Sequence, residues 1–230
     1  MSGLSDQFNF APSLGEICLQ AFHMCGIRPS SLTQEHMFSA RMAANLLLGR
    51  WSGQTPNLWS VDLQTIDLVE GQATYPVPPN TVAILDAYII QNQGNASINR
   101  LILPISRSEY ASYPNPNEQG ATTVFWFDRL LAPTITFWPV PNGEFSQASY
   151  YRVRQAMDAN FTNQQQVEIP YYWSEAFVTG LAQRLARIWA PALFAGLKAD
   201  ADEAYAIAST QNVETAVTYI APSVSAYFRP

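Results

Sequence analysis

Lysine is almost absent from this chain of 230 residues, since Lys198 stands alone beside eleven arginines. Charged residues make up 13% of the sequence, about half of the roughly 25% that is usual in soluble proteins. The net charge is −6, and no run of the sequence is rich in basic residues. A protein that grips nucleic acid needs clustered cations to neutralise phosphates. The composition therefore argues against a protein of that class.

Thiols and imidazoles are also scarce, with two cysteines and two histidines. Cys18 and Cys25 are seven residues apart in a helical pattern, which separates them by about 10 Å along the axis. That distance is too long for a mutual disulfide, so we expect two buried free thiols. Neither His23 nor His36 has a cysteine or carboxylate at metal-ligand spacing, and we expect no metal site.

Signatures of catalysis are missing as well. The sequence contains no phosphate loop, dinucleotide fingerprint, nucleophile elbow or H-E-x-x-H motif. Asp62 and Asp67 would face opposite sides of a predicted strand, so they do not form a paired acid and base. No apolar run approaches the roughly 20 residues of a membrane span. We therefore expect no enzyme activity, catalytic residue, cofactor or membrane contact.

Aromatic residues are plentiful, at 13% of the chain. Arginine together with tyrosine and tryptophan, on a background poor in lysine and glutamate, resembles the composition of protein–protein interfaces. An ordinary aromatic-rich β protein is the alternative interpretation. We favour surfaces that serve assembly.

Helical patterns occupy both ends of the chain. A capping box at Ser13-Leu-Gly-Glu16 predicts a helix over 13–25, and a second helix is predicted from about residue 31 or 33 to 51. Two more are predicted over about 170–191 and 196–216. One face of the third helix is predicted to be apolar and buried: Trp173, Phe177, Leu181, Leu185 and Ile188.

Short β patterns separated by turn residues fill the middle of the chain. The sequence thus predicts an α+β protein, with a helical bundle built from both chain ends and an inserted small antiparallel β barrel or sandwich. The predicted helical domain comprises 1–57 and 158–216, and the β domain comprises 58–157. Within it, "PTITFWPVPNG" is predicted to be a hairpin corner where two prolines stop the strand pairing.

Two sets of residues are candidates for binding partner proteins. Residues 217–230 form an aperiodic tail whose large apolar side chains either fold back on their own domain or dock on a partner; we favour docking. The tail candidates are Tyr219, Ile220, Tyr227, Phe228 and Arg229. The second set, which would meet a neighbouring subunit or a tail component, is Trp138, Arg152 and Arg154. Intrachain pairing or solvation explains the two arginines equally well, as it does the pair Arg184 and Arg187.

An ordered series of short motifs resembles the head-to-tail adaptor proteins of tailed bacteriophages. This group includes tail tubular protein A and the packaged-DNA stabilisation or head-completion proteins. The resemblance covers nearly the whole chain, and no single motif in it is specific. The motifs are "ICLQAFHMCGI", "ARMAANLLLGRWSGQTPNLW", "LVEGQATYPVPPNTVAILDAYI", "ISRSEYASYPNP", "VFWFDR", "ITFWPVPNG" and "IPYYWSEAFVTGLAQRLA".

The resemblance implies a structural protein of the virion neck, assembled in the host cytoplasm. It implies a homo-oligomeric ring of twelve copies that binds the portal protein, extends the DNA channel and helps to retain packaged DNA. A downstream tail or nozzle protein would bind below the ring, and double-stranded DNA would pass through without sequence-specific contacts. A glycan-binding β module using Trp126, Trp138 and Tyr151, or another tail-associated binding protein, is the alternative, and a tail-associated hydrolase comes third.

Overall fold

The computed structural model describes residues 10–54, 58–93, 96–161 and 165–212. The chain is a mixed α+β protein, with helices before and after a central run of strands. None of the described helices is long and apolar enough to cross a membrane. The helices are α1 (Leu14–Met24), α2 (Gln34–Gln54), α3 (Arg107–Ala111), α4 (Ser174–Trp189) and α5 (Phe194–Thr210). The strands are β1 (Val61–Asp67), β2 (Thr74–Pro76), β3 (Thr81–Gln93), β4 (Ala96–Pro104), β5 (Gln119–Gly120), β6 (Val124–Asp128), β7 (Thr134–Trp138), β8 (Val140–Pro141) and β9 (Gln147–Arg154).

The first helix begins and ends through local signals that its sequence carries. The N–H of Ser13 donates to the Glu16 carboxylate at 2.7 Å, and the N–H of Glu16 donates to the Ser13 hydroxyl at 3.3 Å. This reciprocal pair is the predicted capping box. Gly26 ends α1 with a φ of +76°, and the N–H of Ile27 then reaches back to the carbonyl of Phe22.

Helices α1, α2, α4 and α5 share one apolar core, in which α4 contacts the other three. Small residues on α4 allow this close packing, since a Cβ added to Gly180 would lie 3.0 Å from Cδ2 of Leu47 on α2. Trp173, in a 3₁₀ turn just before α4, is completely buried against the rings of Trp51, Trp59 and Tyr205. Trp173 thus lies where the helices of this core meet, and its ring fills the space between them.

Both cysteines lie in the helical core as free thiols, as predicted. Burial raises the pKa of the Cys18 thiol to about 12. The Cys25 thiol donates to the carbonyl of Ala182 at 3.5 Å, which ties α1 to α4.

The strands form a curled, mostly antiparallel sheet in the order β1-β9-β3-β4-β6-β7-β2. One pair departs from the antiparallel prediction, because β4 and β6 run parallel. Parallel neighbours need a crossover connection rather than a tight turn, and the chain between β4 and β6 contains α3. One face of this sheet, together with Val77 and Phe145 from the connecting segments, forms a second core of buried residues: Tyr75, Val77, Ala87, Ile89, Ile102, Phe125, Ile135, Phe137, Phe145, Ala148 and Tyr150.

The proline-rich corner after β7 differs from the prediction. Pairing continues past Pro139, since β8 pairs in parallel with β5 as a small two-stranded sheet. The N–H of Val140 donates to the carbonyl of Glu118 at 2.8 Å, and the carbonyl of Pro141 accepts from the N–H of Gly71 at 2.9 Å. The prediction that pairing stops here was wrong because proline lacks only the backbone donor, and its carbonyl remains an acceptor.

Candidate interaction surfaces

Arg152, on β9, is held by partners in its own chain. Its side chain is only 6% exposed, and its Nε and Nη2 donate to the two carboxylate oxygens of Asp62 at 2.7 and 3.1 Å. Nη1 donates to Asn80 at 2.8 Å and to the Thr81 hydroxyl at 2.9 Å. The bond from Arg152 lowers the pKa of the Asp62 carboxyl. This two-point pairing fixes β1, β9 and the start of β3 relative to one another.

Arg154, two residues further along β9, pairs with Glu168 in the segment that leads to α4. Its Nη1 donates to Glu168 at 2.8 Å, its Nη2 pairs with the other carboxylate oxygen, and the N–H of Met157 donates to Glu168 at 3.0 Å. Arg154 lowers the pKa of the Glu168 carboxyl, and Glu168 raises the pKa of Arg154. For both arginines, the intrachain partners that the sequence left as an alternative are present. Contact of either arginine with another subunit stays a prediction.

Trp138, at the end of β7, lies against Tyr113. The two rings stack with centroids 4.0 Å apart at an interplanar angle of 14°. Its indole N–H donates to the carbonyl of Asn115 at 3.1 Å. One ring face and the only hydrogen-bond donor of this indole are therefore in use within the chain, and the residue is partly exposed. Contact of Trp138 with a neighbouring subunit or a tail component stays a prediction.

The three aromatics of the glycan-binding alternative do not form one platform. Trp126 shares a sheet face with Trp138, because Trp126 lies opposite Thr136 in the β6–β7 ladder. Tyr110 stacks on Trp126 with centroids 5.4 Å apart, so this indole is also covered on one side. Tyr151 lies on β9, and β3 and β4 separate that strand from β6.

An apolar groove runs between α2 and the second half of α4. Phe38, Met42 and Leu46 follow one another at intervals of four residues along α2, so they project from the same side of the helix. Phe38 is 59% exposed and Ile188 on α4 is 63% exposed. The groove encloses about 300 Å³. Exposed apolar side chains grouped in this way mark surfaces that bind other molecules.

Two arginines of α4, Arg184 and Arg187, form the rim of this groove. Partial burial lowers the pKa of Arg184, and the positive charges of Arg50 and Arg187 lower it further. The described residues place no carboxylate in an ion pair with any of these three arginines. We name the surface the arginine groove, and its residues are Phe38, Met42, Leu46, Arg184, Arg187 and Ile188.

Sequence reasoning identified the arginine pair but missed the apolar part of the groove. Ile188 was predicted to be buried, and that prediction was wrong. At this end of α4 the inward position belongs to Trp189, whose ring stacks on His36 with centroids 4.0 Å apart. The i, i+4, i+8 spacing of Phe38, Met42 and Leu46 was visible in the sequence as a second apolar stripe, on the side of α2 roughly opposite its buried stripe.

The tail candidates in 217–230 lie outside the described residues. Within the described ranges, no group of three or more His, Cys, Asp or Glu residues is placed to hold a metal ion.

Residues 33–224 match a family model, that of the SU10 adaptor protein. A comparison with curated proteins found no match. The matched range begins at the start of α2 and includes the whole sheet, α4 and α5. The resemblance drawn from the motifs is thereby confirmed, and the chain belongs to the SU10 adaptor protein family, a family of phage head–tail adaptors.

Proposed function

We propose that this protein is the structural adaptor that joins the portal of a phage head to the tail. The observation that carries the proposal is the family match over residues 33–224. A sequence with few charges, an exposed apolar groove, and groove arginines that no described carboxylate pairs further support a role in assembly. The site of action is the neck of the virion.

In this proposal, twelve copies form a ring that extends the DNA channel below the portal and helps to retain packaged DNA. The net charge of −6 favours this role, because a conduit with few clustered cations neutralises few phosphates and lets DNA slide. A downstream tail or nozzle protein binds the side of the ring that faces away from the head.

The proposed organisation has two domains and a docking tail. Residues 1–57 and 158–216 form a helical bundle, and 58–157 form an inserted β barrel or sandwich that faces the tail. Support comes from the separate apolar cores of helices and sheet. Residues 217–230 dock on the portal through their tyrosines, Ile220 and Phe228, and the exposed edge of Trp138 meets a tail component or a neighbouring subunit.

Electron microscopy of the full chain mixed with the cognate portal tests this proposal. We expect portal particles capped by an additional ring, and we expect a variant without residues 217–230 to leave the portals bare. Circular dichroism shows whether the truncated variant remains folded. Portals that stay bare with the full chain contradict the adaptor role, and portals that the truncated variant still caps contradict the tail contact.

A further inference from the structure

The arginine groove combines an apolar floor with two arginines that no described carboxylate pairs, although the guanidinium of Arg187 lies 5.1 Å from the ring centroid of Phe194. Its aliphatic and aromatic floor exposes apolar area, whose removal from water is favourable by roughly 25 cal/mol per Å². Its rim carries Arg184 and Arg187; partial burial lowers the pKa of Arg184, and the charges of Arg50 and Arg187 lower it further. An occupant therefore needs an apolar side chain for the floor and carboxylates for the rim.

The outer face of α5 offers this combination. Asp200, Glu203 and Ile207 are exposed and follow at spacings of three and four residues, which places them on one side of the helix. Ile207 is 59% exposed, and neither acidic residue has an ion-pair partner among the described residues. We name Asp200, Glu203 and Ile207 the acidic stripe.

The acidic stripe and the arginine groove lie on different sides of the helical region. Asp202 and Tyr205, also on α5, line a cleft with Arg50 and Trp51 of α2. Each residue of an α-helix is turned by about 100° from the one before it. By this rotation, the acidic stripe lies on the edge of α5 that faces away from α2, so one copy cannot place its own stripe in its own groove.

We propose that the arginine groove of one copy binds the acidic stripe of a second copy. Arg184 and Arg187 pair with Asp200 and Glu203 of the neighbour, and Ile207 of the neighbour covers the apolar floor. Such a contact joins two different surfaces, so each copy keeps one of each for the next, and repetition closes a ring or extends a filament. This inference deepens the proposed function, on which it rests for the association of copies into a ring.

Other chemistries satisfy only half of the groove. A nucleic-acid phosphate would pair with the arginines but leave the floor formed by Phe38, Met42 and Leu46 in water. A wholly apolar partner would cover the floor and desolvate the guanidinium groups without compensation. An amphipathic acidic helix satisfies both parts, and α5 supplies one in every copy.

Charge reversal followed by mixing provides the first test. The groove variant is Arg184→Glu with Arg187→Glu, and the stripe variant is Asp200→Lys with Glu203→Lys. We expect each variant alone to self-associate at least about tenfold more weakly than the wild type in sedimentation equilibrium, because like charges then face each other. We expect a mixture of the two to regain association, since each reversed surface then finds an opposite charge. The proposal is overturned if the mixture associates as weakly as each variant does alone.

A matched control separates this effect from general charge change. Arg28→Glu with Arg107→Glu reverses two exposed arginines outside the groove, and we expect it to associate as the wild type does. Arg184 is partly buried, so Arg187→Glu alone, at an exposed position, provides a second groove variant with less risk to the fold. The proposal is overturned if the control weakens self-association as much as the groove variant does.

A disulfide trap tests the contact even when association is weak. Met42→Cys in one sample is mixed with Ile207→Cys in another and oxidised, while Cys18 and Cys25 are buried and do not compete. We expect a cross-linked dimer that the groove variant abolishes. Leu131→Cys, fully exposed between β6 and β7, is the control partner for Met42→Cys. Equal cross-linking to Leu131→Cys overturns the proposal, as does a preference of Met42→Cys for Tyr219→Cys over Ile207→Cys.

The two proposals can fail separately. If the full chain caps portals but the trap with Ile207→Cys fails, the adaptor role stands and this contact is wrong. If the trap succeeds but portals stay bare, the copies associate through these surfaces and the adaptor role is wrong.

Discussion

The helical core and the sheet core of this protein differ in amino-acid composition. Alanines make up nine of the 22 buried residues that form the helical core, but only two of the 11 that form the sheet core. In the sheet core, five of the 11 are tyrosine or phenylalanine. Helices that meet through alanine approach closely, whereas a sheet face is filled by large side chains that stand away from it.

This difference predicts how each region responds to a change of volume. The helical core depends on short distances between backbones, so an added methyl group at a contact is harmful. The sheet core depends on the volume of its rings, so removal of a ring is harmful there. Large rings in the helical core are few, and Trp173 is therefore the place where the two regions can be compared most directly.

The largest effect is expected from Trp173→Ala. This indole is completely buried against three other rings, and its removal should lower the free energy of unfolding by about 4 kcal/mol. Phe137→Ala, also completely buried, should cost a similar amount in the sheet core. Urea titrations followed by circular dichroism measure both.

The same experiment asks whether the two cores unfold together. Separate domains predict that Trp173→Ala shifts the loss of helical signal to lower urea concentration and leaves the near-ultraviolet signal of the sheet tyrosines in place.

Trp138→Ala is the matched control at a partly exposed position, and it should lower the free energy of unfolding by only about 1 kcal/mol. If Trp138→Ala costs as much as Trp173→Ala, burial does not explain the stability of this protein.

The second effect concerns the ion pair at the edge of the sheet. Arg152→Ala leaves the carboxylate of Asp62 without its two-point partner and should lower the free energy of unfolding by about 3 kcal/mol. The double variant Arg152→Ala with Asp62→Ala should lose less than the sum of the single losses, because no unpaired charge remains. Strict additivity in this cycle contradicts a direct energetic coupling of the pair.

A smaller effect on the free energy of unfolding, opposite in sign for the two positions, is expected when two helical glycines are replaced by alanine. Gly180→Ala places a methyl group 3.0 Å from buried Leu47 and should cost about 1 kcal/mol despite the better helix propensity of alanine. Gly49→Ala, on α2 with open space around the new Cβ, should instead stabilise by up to about 1 kcal/mol. Thermal melts of the two variants test this. If both substitutions raise the melting temperature, the contact between α2 and α4 has room for the added methyl group and the expectation for Gly180→Ala is wrong.

The smallest effect is in acid. Because Arg154 lowers the pKa of Glu168 in the folded state, this pair stabilises the fold above the ordinary carboxyl pKa and loses its contribution as pH falls through the lowered value. Between about pH 5 and pH 2, Glu168→Gln should therefore lose less stability than the wild type, with a difference below about 1 kcal/mol. Equal pH profiles in urea titrations contradict the pairing.

Local signals in the sequence were enough to predict the main helices and the mixed α+β class of the fold. The capping box at Ser13 and the 3.6-residue periodicity act within one element, so they can be read without knowledge of the rest. The parallel β4–β6 pair and the pairing of β8 with β5 depend on which distant segments meet. Hydrogen bonds between distant backbones leave no mark on local residue patterns.

The interaction surfaces were harder to predict for a related reason. Periodicity shows that a helix has an apolar face, but α2 has two, and only packing decides which one is covered. Likewise, Arg152 and Asp62 are 90 residues apart in the chain, so their pairing appears only when β1 and β9 lie side by side.

The cluster of indoles around Trp173 makes the helical region an optical reporter. The ring centroids of Trp51 and Trp59 lie 4.9 and 5.0 Å from that of Trp173. Transition dipoles at such separations couple, and the coupled transitions give a circular-dichroism signal that depends on ring geometry. Trp126 and Trp138 stack on tyrosines instead, Tyr110 and Tyr113, and no ring contact joins them to this cluster among the described residues. Changes in the geometry of the helical region can therefore be followed spectroscopically without an attached dye.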